Sequence, residues 1–108
     1  MVELALVSGV GQPSAYAMVV LAESLRPQVG DPGVKAQVQT ELGKLLQYVN
    51  QQLPEYEHLR MIVVAREAWS IENGFLTPTM KIKRGPIEAA MAPQVESWYA
   101  IGGSVHWA

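Results

Sequence analysis

Residues 14 to 21, SAYAMVVL, constrain this chain most. The run is apolar on both of the faces that alternate along a strand, so it reads as a central, buried strand. A second strand-like run precedes it: VELALVS, residues 2 to 8, with Val2, Leu4 and Leu6 on one face. The loop between them, GVGQP, is so short that the two strands form an antiparallel hairpin.

The next signal is helical. Asp31 followed by Pro32 suits a helix start, because Asp caps free amides and Pro fits the first turn. Val34, Val38, Leu42, Leu45, Leu46, Val49 and Leu53 then recur at helical spacing, giving one amphipathic helix of about five turns ended by Pro54. Gly43 sits inside it at a cost near 1 kcal/mol, as expected where a helix crosses a sheet closely. Residues 61 to 65, MIVVA, read as a third buried strand. REAWSIENG, ending at Asn73-Gly74, reads as a short helix or turn region. Pro86 marks the first turn of a last helix, with Ile87, Ala90, Met91, Val95 and Trp98 inward. The tail IGGSVHWA has no periodic signal.

The expected architecture is therefore α+β: a small mixed β-sheet of about three main strands with helices packed on it. A crossover from the second strand to the third through the long helix is right-handed if the two are parallel neighbours. The chain has 108 residues, one ordinary domain, and 49% are apolar, which is a globular composition. A net charge of −2 argues against a nucleic-acid coat. The absence of Cys excludes disulfides and thiolate metal sites. The longest apolar stretch, Ala15 to Ala22, is far too short to span a bilayer, and the start lacks signal-peptide character, so a cytoplasmic protein is the default.

Few residues carry candidate chemistry. SGVG, residues 8 to 11, has Ser14 where a dinucleotide loop needs a third Gly, and a strand rather than a helix follows. His58 and His106 lie far apart without metal-ligand spacing or a nucleophile at motif spacing. Glu55 and Glu57 read as a solvated loop, and Trp69, Trp98 and Trp107 as core and rim packing. What stands out is ENGFLTPTMKIKR, residues 72 to 84, which places Lys81, Lys83 and Arg84 just behind a turn and a proline. Three readings stay open on composition. The cluster is a solvated turn, a weak phosphate-contacting patch for nucleic acid, or one working lysine that meets an oxyanion in a site supplied by something else.

The letters around the lysines resemble the C-terminal motif of the long-chain acyl-CoA synthetases, in the AMP-binding, adenylate-forming superfamily. That branch carries an Asn-Gly, then Leu-Thr-Pro-Thr, an apolar residue and a Lys-x-Lys-Arg run. VELALVSGVGQPSAYAMVVL resembles the family's strand pair after its hinge, and LPEYEHLRMIVVAREAWSIENG the stretch leading to the motif. The resemblance covers most of residues 2 to 100.

It implies that residues 1–108 are the small, mobile C-terminal domain of adenylate-forming enzymes, with the hinge and N-terminal domain absent. The implied chemistry is activation of a fatty acid by ATP and Mg²⁺ to an acyl-adenylate, then transfer to coenzyme A. None of these is expected bound to the fragment, which would be inactive alone. The implied partners are an N-terminal adenylation domain, fatty acid and coenzyme A, with no nucleic acid and no transmembrane segment; the full-length enzyme would be cytoplasmic or membrane-peripheral. Many members present the reacting lysine after Pro-x-Thr-x-Ser-Gly; aligning on the Lys-Ile-x-Arg that follows places it at Lys81, with Lys83 as the rival. Both project to one side of an extended run. Lys83 and Arg84 are expected to meet the N-terminal domain or solvent, while Thr77, Pro78 and Thr79 set the loop. The alternative is a non-catalytic regulatory or partner-binding module of the same fold.

Overall fold

The computed structural model describes residues 2–9 and 14–108. Val10 and Gly11, the second half of the SGVG loop, lie outside the described residues. In chain order come β1 (Val2–Ser8), β2 (Tyr16–Leu21), α1 (Pro32–Gln51), β3 (Ile62–Val64), α2 (Arg84–Ile101) and β4 (Val105–Trp107). The sheet runs β1-β2-β3-β4. β1 and β2 pair antiparallel, as the short loop requires, whereas β2–β3 and β3–β4 are parallel.

The α+β class and the mixed sheet are as expected; the fourth strand is not. VHW is three residues long and follows Gly102 and Gly103, both at positive φ (76° and 92°). It becomes a strand because β3 offers an open edge: Ile62 N–H donates to Ser104 O at 2.8 Å and Ala108 N–H to Val64 O at 2.9 Å. Partner bonds of this kind leave no periodic trace in the sequence. REAWSIENG likewise resolves into turns and bends, with no helix.

All six residues of β2 are buried, and their alternation feeds two separate cores. Ala17, Val19 and Leu21 join Ile62 and Val64 against Val38, Leu42 and Leu46 of α1. Tyr16, Met18 and Val20 face the other way, with Val63, against Trp69, Leu76, Ile87 and Trp98. Helices α1 and α2 therefore cover opposite faces. The sheet grows one way from β2 through β3 to β4 while its two crossovers pass over opposite faces. They must then have opposite hands, so one breaks the usual right-handed preference.

The start of α1 forms as its sequence dictates: the Asp31 carboxylate accepts from Gly33 N–H at 2.8 Å and Pro32 occupies the first turn. Its apolar stripe is narrower than the spacing predicts, because Leu45 stays 39% exposed at the stripe's margin. Ala90 of α2, expected inward, is exposed; the buried line runs through Ile87 and Trp98, with Met91 and Val95 half-buried. Gly43 corrects a second expectation. A Cβ added there would meet no atom within 4 Å, so no close helix crossing requires the glycine. Gly43→Ala should raise stability by about 1 kcal/mol in chemical denaturation, since only helix propensity changes.

Candidate functional site

The segment carrying the basic run is a small hairpin rooted in the α2-side core. Asn73 builds its base. The Asn73 Oδ1 accepts from Ser70 N–H at 3.0 Å and from Phe75 N–H at 3.1 Å, and its Nδ2 donates to Ala68 O at 2.9 Å. The Ser70 hydroxyl accepts from Asn73 N–H at 3.2 Å. Gly74 then turns the chain at φ 81°, where a glycine carries little strain. Leu76 is buried and bridges Ile82 antiparallel, and Phe75 and Ile82 pack against the same core. Asn73→Ala should cost about 2 kcal/mol, because Ser70 N–H and Ala68 O lose their side-chain partner at once while Phe75 N–H keeps only Ser70 O; urea denaturation monitored by tryptophan fluorescence measures it.

Above this base the arms close on a three-residue loop. Thr77 N–H donates to Lys81 O at 2.8 Å, Met80 N–H to Thr77 O at 2.8 Å, and Lys83 N–H to Phe75 O at 2.9 Å. The loop is Pro78-Thr79-Met80, and Met80 adopts φ 66°. Three-residue hairpin loops commonly end in that left-handed conformation, and glycine is the residue that takes it easily. Met80 takes it at a cost of roughly 1–2 kcal/mol, with its side chain 62% exposed. Many members of the superfamily resembled carry a glycine immediately before the lysine, whereas the long-chain branch carries an apolar residue there, as Met80 is before Lys81.

The three cations divide. Ile82 points into the core, so Lys81 and Lys83 point out, one on each side of it in sequence. Both side chains are exposed, and among the described residues no carboxylate pairs with either. Lys81 directly follows the strained tip. Lys83 lies at the root, where its backbone forms the N-cap position of α2. Arg84 is exposed to solvent, as expected, and also braces the fold. Its Nη1 donates to Val7 O at 2.5 Å and lies 3.5 Å from Glu88 Oε1, tying the hairpin root to the β1 edge. The sequence gives no sign of this bond because its partners are 77 positions apart.

The other candidates take structural places. Gly9 has φ 144°, and a Cβ there would lie 2.8 Å from Ala15 Cα, so the glycine permits a close hairpin approach. His58 Nε2 lies 3.0 Å from Leu53 O. His106 sits on β4 with its Nε2 buried and without a hydrogen-bond partner. No group of three or more metal-ligating side chains is found among the described residues. Trp69 and Trp98 are core residues, and Trp107 is a rim residue whose Nε1 donates to Gln39 at 3.2 Å beneath the Lys35 ammonium. Burial pushes the Tyr16 and Tyr99 phenols up, the Ser8 hydrogen bond partly offsetting this for Tyr16, so both stay neutral at physiological pH. A cleft of about 560 Å³ beside α2 is lined by Ser8, Tyr16, Glu88 and Glu96 among others. Among its described lining residues the charged ones are the carboxylates Glu88 and Glu96, which suits no anionic substrate.

No family profile matches the chain. Curated relatives do. Over 78 residues it is 35% identical to the peroxisomal long chain acyl-CoA synthetase 7 of Arabidopsis thaliana, covering 72% of this chain and 11% of that protein. Over 47 residues it is 43% identical to the long-chain-fatty-acid–CoA ligase 5 of Rattus norvegicus, covering 44% of this chain and 7% of the relative. The chain thus spans about a tenth or less of the length of these relatives. Among solved structures it resembles the A domain of carboxylic acid reductase from Segniliparus rugosus, in complex with AMP and a co-purified carboxylic acid. The TM-score is 0.65 at 26% identity, over 94% of this chain and 16% of that one. The A-PCP didomain of the same reductase, in complex with AMP, gives a TM-score of 0.64 at 26% identity, over 93% and 14%. The fold is also that of part of the carboxylate reductase adenylation domain from Mycobacterium chelonae, at a TM-score of 0.64 and 24% identity, over 92% and 16%.

Proposed function

We propose, from its kinship with a short segment of the AMP-binding, adenylate-forming enzymes, that this chain is the C-terminal lid domain of a fatty acyl-CoA synthetase. In this reading residues 1–108 work only with an N-terminal adenylation domain, which supplies most of the nucleotide and fatty-acid sites. Lys81 is the residue the lid contributes. The observation that carries the reading is its setting: an exposed ammonium with no carboxylate partner among the described residues, at the strained end of a braced hairpin. Such a cation is available to neutralise an oxyanion that arrives from another domain.

The reaction class is acyl-adenylate formation from a fatty acid and ATP, followed by thioester formation with coenzyme A. As a fatty-acid carboxylate oxygen attacks the α-phosphorus in line, the bond from that phosphorus to the bridging oxygen breaks and pyrophosphate leaves with the electron pair; charge builds on the phosphoryl oxygens, and Lys81 would stabilise it without exchanging a proton. The residues present fit a phosphate or carboxylate oxygen. The Lys81 and Lys83 side chains themselves offer no oxygen donor to Mg²⁺. No described helix is long and apolar enough to cross a membrane; our reading of the full-length protein is of a cytoplasmic or membrane-peripheral enzyme.

The test is fatty-acid-dependent ATP–pyrophosphate exchange by the full-length protein. Exchange that requires both a long-chain acid and the domain 1–108 supports the reading. Exchange that survives deletion of this domain overturns it.

A further inference from the structure

We propose that Thr77 is a positioning residue for Lys81, fixing the lysine's backbone through its side-chain hydroxyl. The proposal rests on the reading of Lys81 as the reacting-site cation. Thr77 Oγ1 accepts from Lys81 N–H at 3.0 Å, and it shares a second hydrogen bond with Thr79 Oγ1 at 3.0 Å. The main chain of Thr77 contacts Lys81 again and also Met80, donating to Lys81 O and accepting from Met80 N–H, each at 2.8 Å. One threonine therefore holds both polar groups of the Lys81 backbone and the amide before it.

The hydroxyl bonds go beyond what the turn needs. Two backbone bonds already close the three-residue loop. The side-chain bond adds a partner for the Lys81 amide, next to a residue in an unfavourable conformation. Met80 gains little burial in return for its left-handed φ, being 62% exposed. A strained residue persists only where its surroundings over-determine it, and here the Thr77–Thr79–Lys81 bonds are what surrounds it. The consequence falls on Lys81. A lysine side chain reaches through four flexible carbons, so the backbone atom from which it starts must be fixed if its ammonium is to arrive in one place.

The test compares Thr77→Val with Thr77→Ser in the full-length protein. Valine keeps the β-branched shape and removes the hydroxyl; serine keeps the hydroxyl. Two readouts are used. Hydrogen exchange should show the Lys81 amide exchanging at least about tenfold faster in Thr77→Val and within about threefold of wild type in Thr77→Ser. In ATP–pyrophosphate exchange, kcat should fall about 10- to 100-fold in Thr77→Val with KM for ATP unchanged, and Thr77→Ser should restore it. A threonine that merely stabilises the hairpin would speed exchange throughout residues 75–83 and leave kcat alone; that result overturns the proposal. So does a Lys81 amide as protected in Thr77→Val as in wild type. A wild-type protein that supports no exchange reaction refutes the proposed function instead, and the proposal with it, whatever the amide measurement gives.

Discussion

Lys81→Ala in the full-length protein should lower fatty-acid-dependent ATP–pyrophosphate exchange by about 10²–10³-fold, the loss typical when one preorganised stabiliser of a developing oxyanion is removed. Acyl transfer to coenzyme A from preformed acyl-adenylate should survive, because the charge that Lys81 meets develops only in the first step. Lys83→Ala should change exchange by less than about tenfold. The two lysines are both exposed and only two positions apart, yet they start from different places. Lys81 leaves the tip beside the left-handed Met80, and Lys83 leaves the root, where its N–H is bonded to Phe75 O at 2.9 Å. A tip residue can enter a cavity in another domain; a root residue is held near the surface of its own. Retained exchange in Lys81→Ala, combined with its loss in Lys83→Ala, would transfer the role to Lys83. Lys81→Arg should not rescue fully, since a planar guanidinium fork is not interchangeable with a compact ammonium at a tight site.

Trp98→Ala should destabilise the protein by about 3–5 kcal/mol, against a total stability on the order of 5–15 kcal/mol for a domain. Trp98 is 6% exposed and packs its ring edge-on to Tyr16, with centroids 6.2 Å apart and planes at 66°. Tyr16 opens the buried central strand, and Tyr99 stacks edge-on to it at 6.1 Å. The Tyr99 hydroxyl also donates to Ser14 O. Removing the indole leaves a cavity between α2 and the sheet face that also carries Leu76, so the hairpin's root loosens as α2 does. Guanidinium denaturation should show a lower midpoint at nearly unchanged slope. Trp107→Ala provides the contrast. Its ring lies at the rim under Lys35, and about 1 kcal/mol is expected. A loss below about 1 kcal/mol for Trp98→Ala would mean that α2 is not docked as described.

Parts of this architecture are written locally, and those parts were legible. The start of α1 depends on Asp31 and Pro32 and its length on a stripe of apolar residues, all within reach of one helix. The β1–β2 hairpin depends on a short loop between two apolar runs. The basic segment is legible as a motif because its letters are contiguous, and alignment on the residues beside it proposes Lys81, with Lys83 as the rival. The bracing was not. Asn73 and Thr77 appear in the sequence as an Asn-Gly turn and a Thr-Pro-Thr stiffener, and nothing in that spelling says that their side chains close on the Ser70, Phe75 and Lys81 amides.

The sequence by itself determined which segments are strand and helix in β1, β2, α1, β3 and α2, that the sheet is mixed, and which segment carries the basic run. Each of these follows from periodicity, caps, turns or contiguous letters, which act over a few residues. Only the tertiary structure decided that VHW is a fourth strand, that α1 and α2 take opposite faces, and that Arg84 donates to Val7 O. Those features rest on hydrogen bonds and burial between residues tens of positions apart. Such partners come together only when the sheet assembles, so neither leaves a mark in the local sequence of the other.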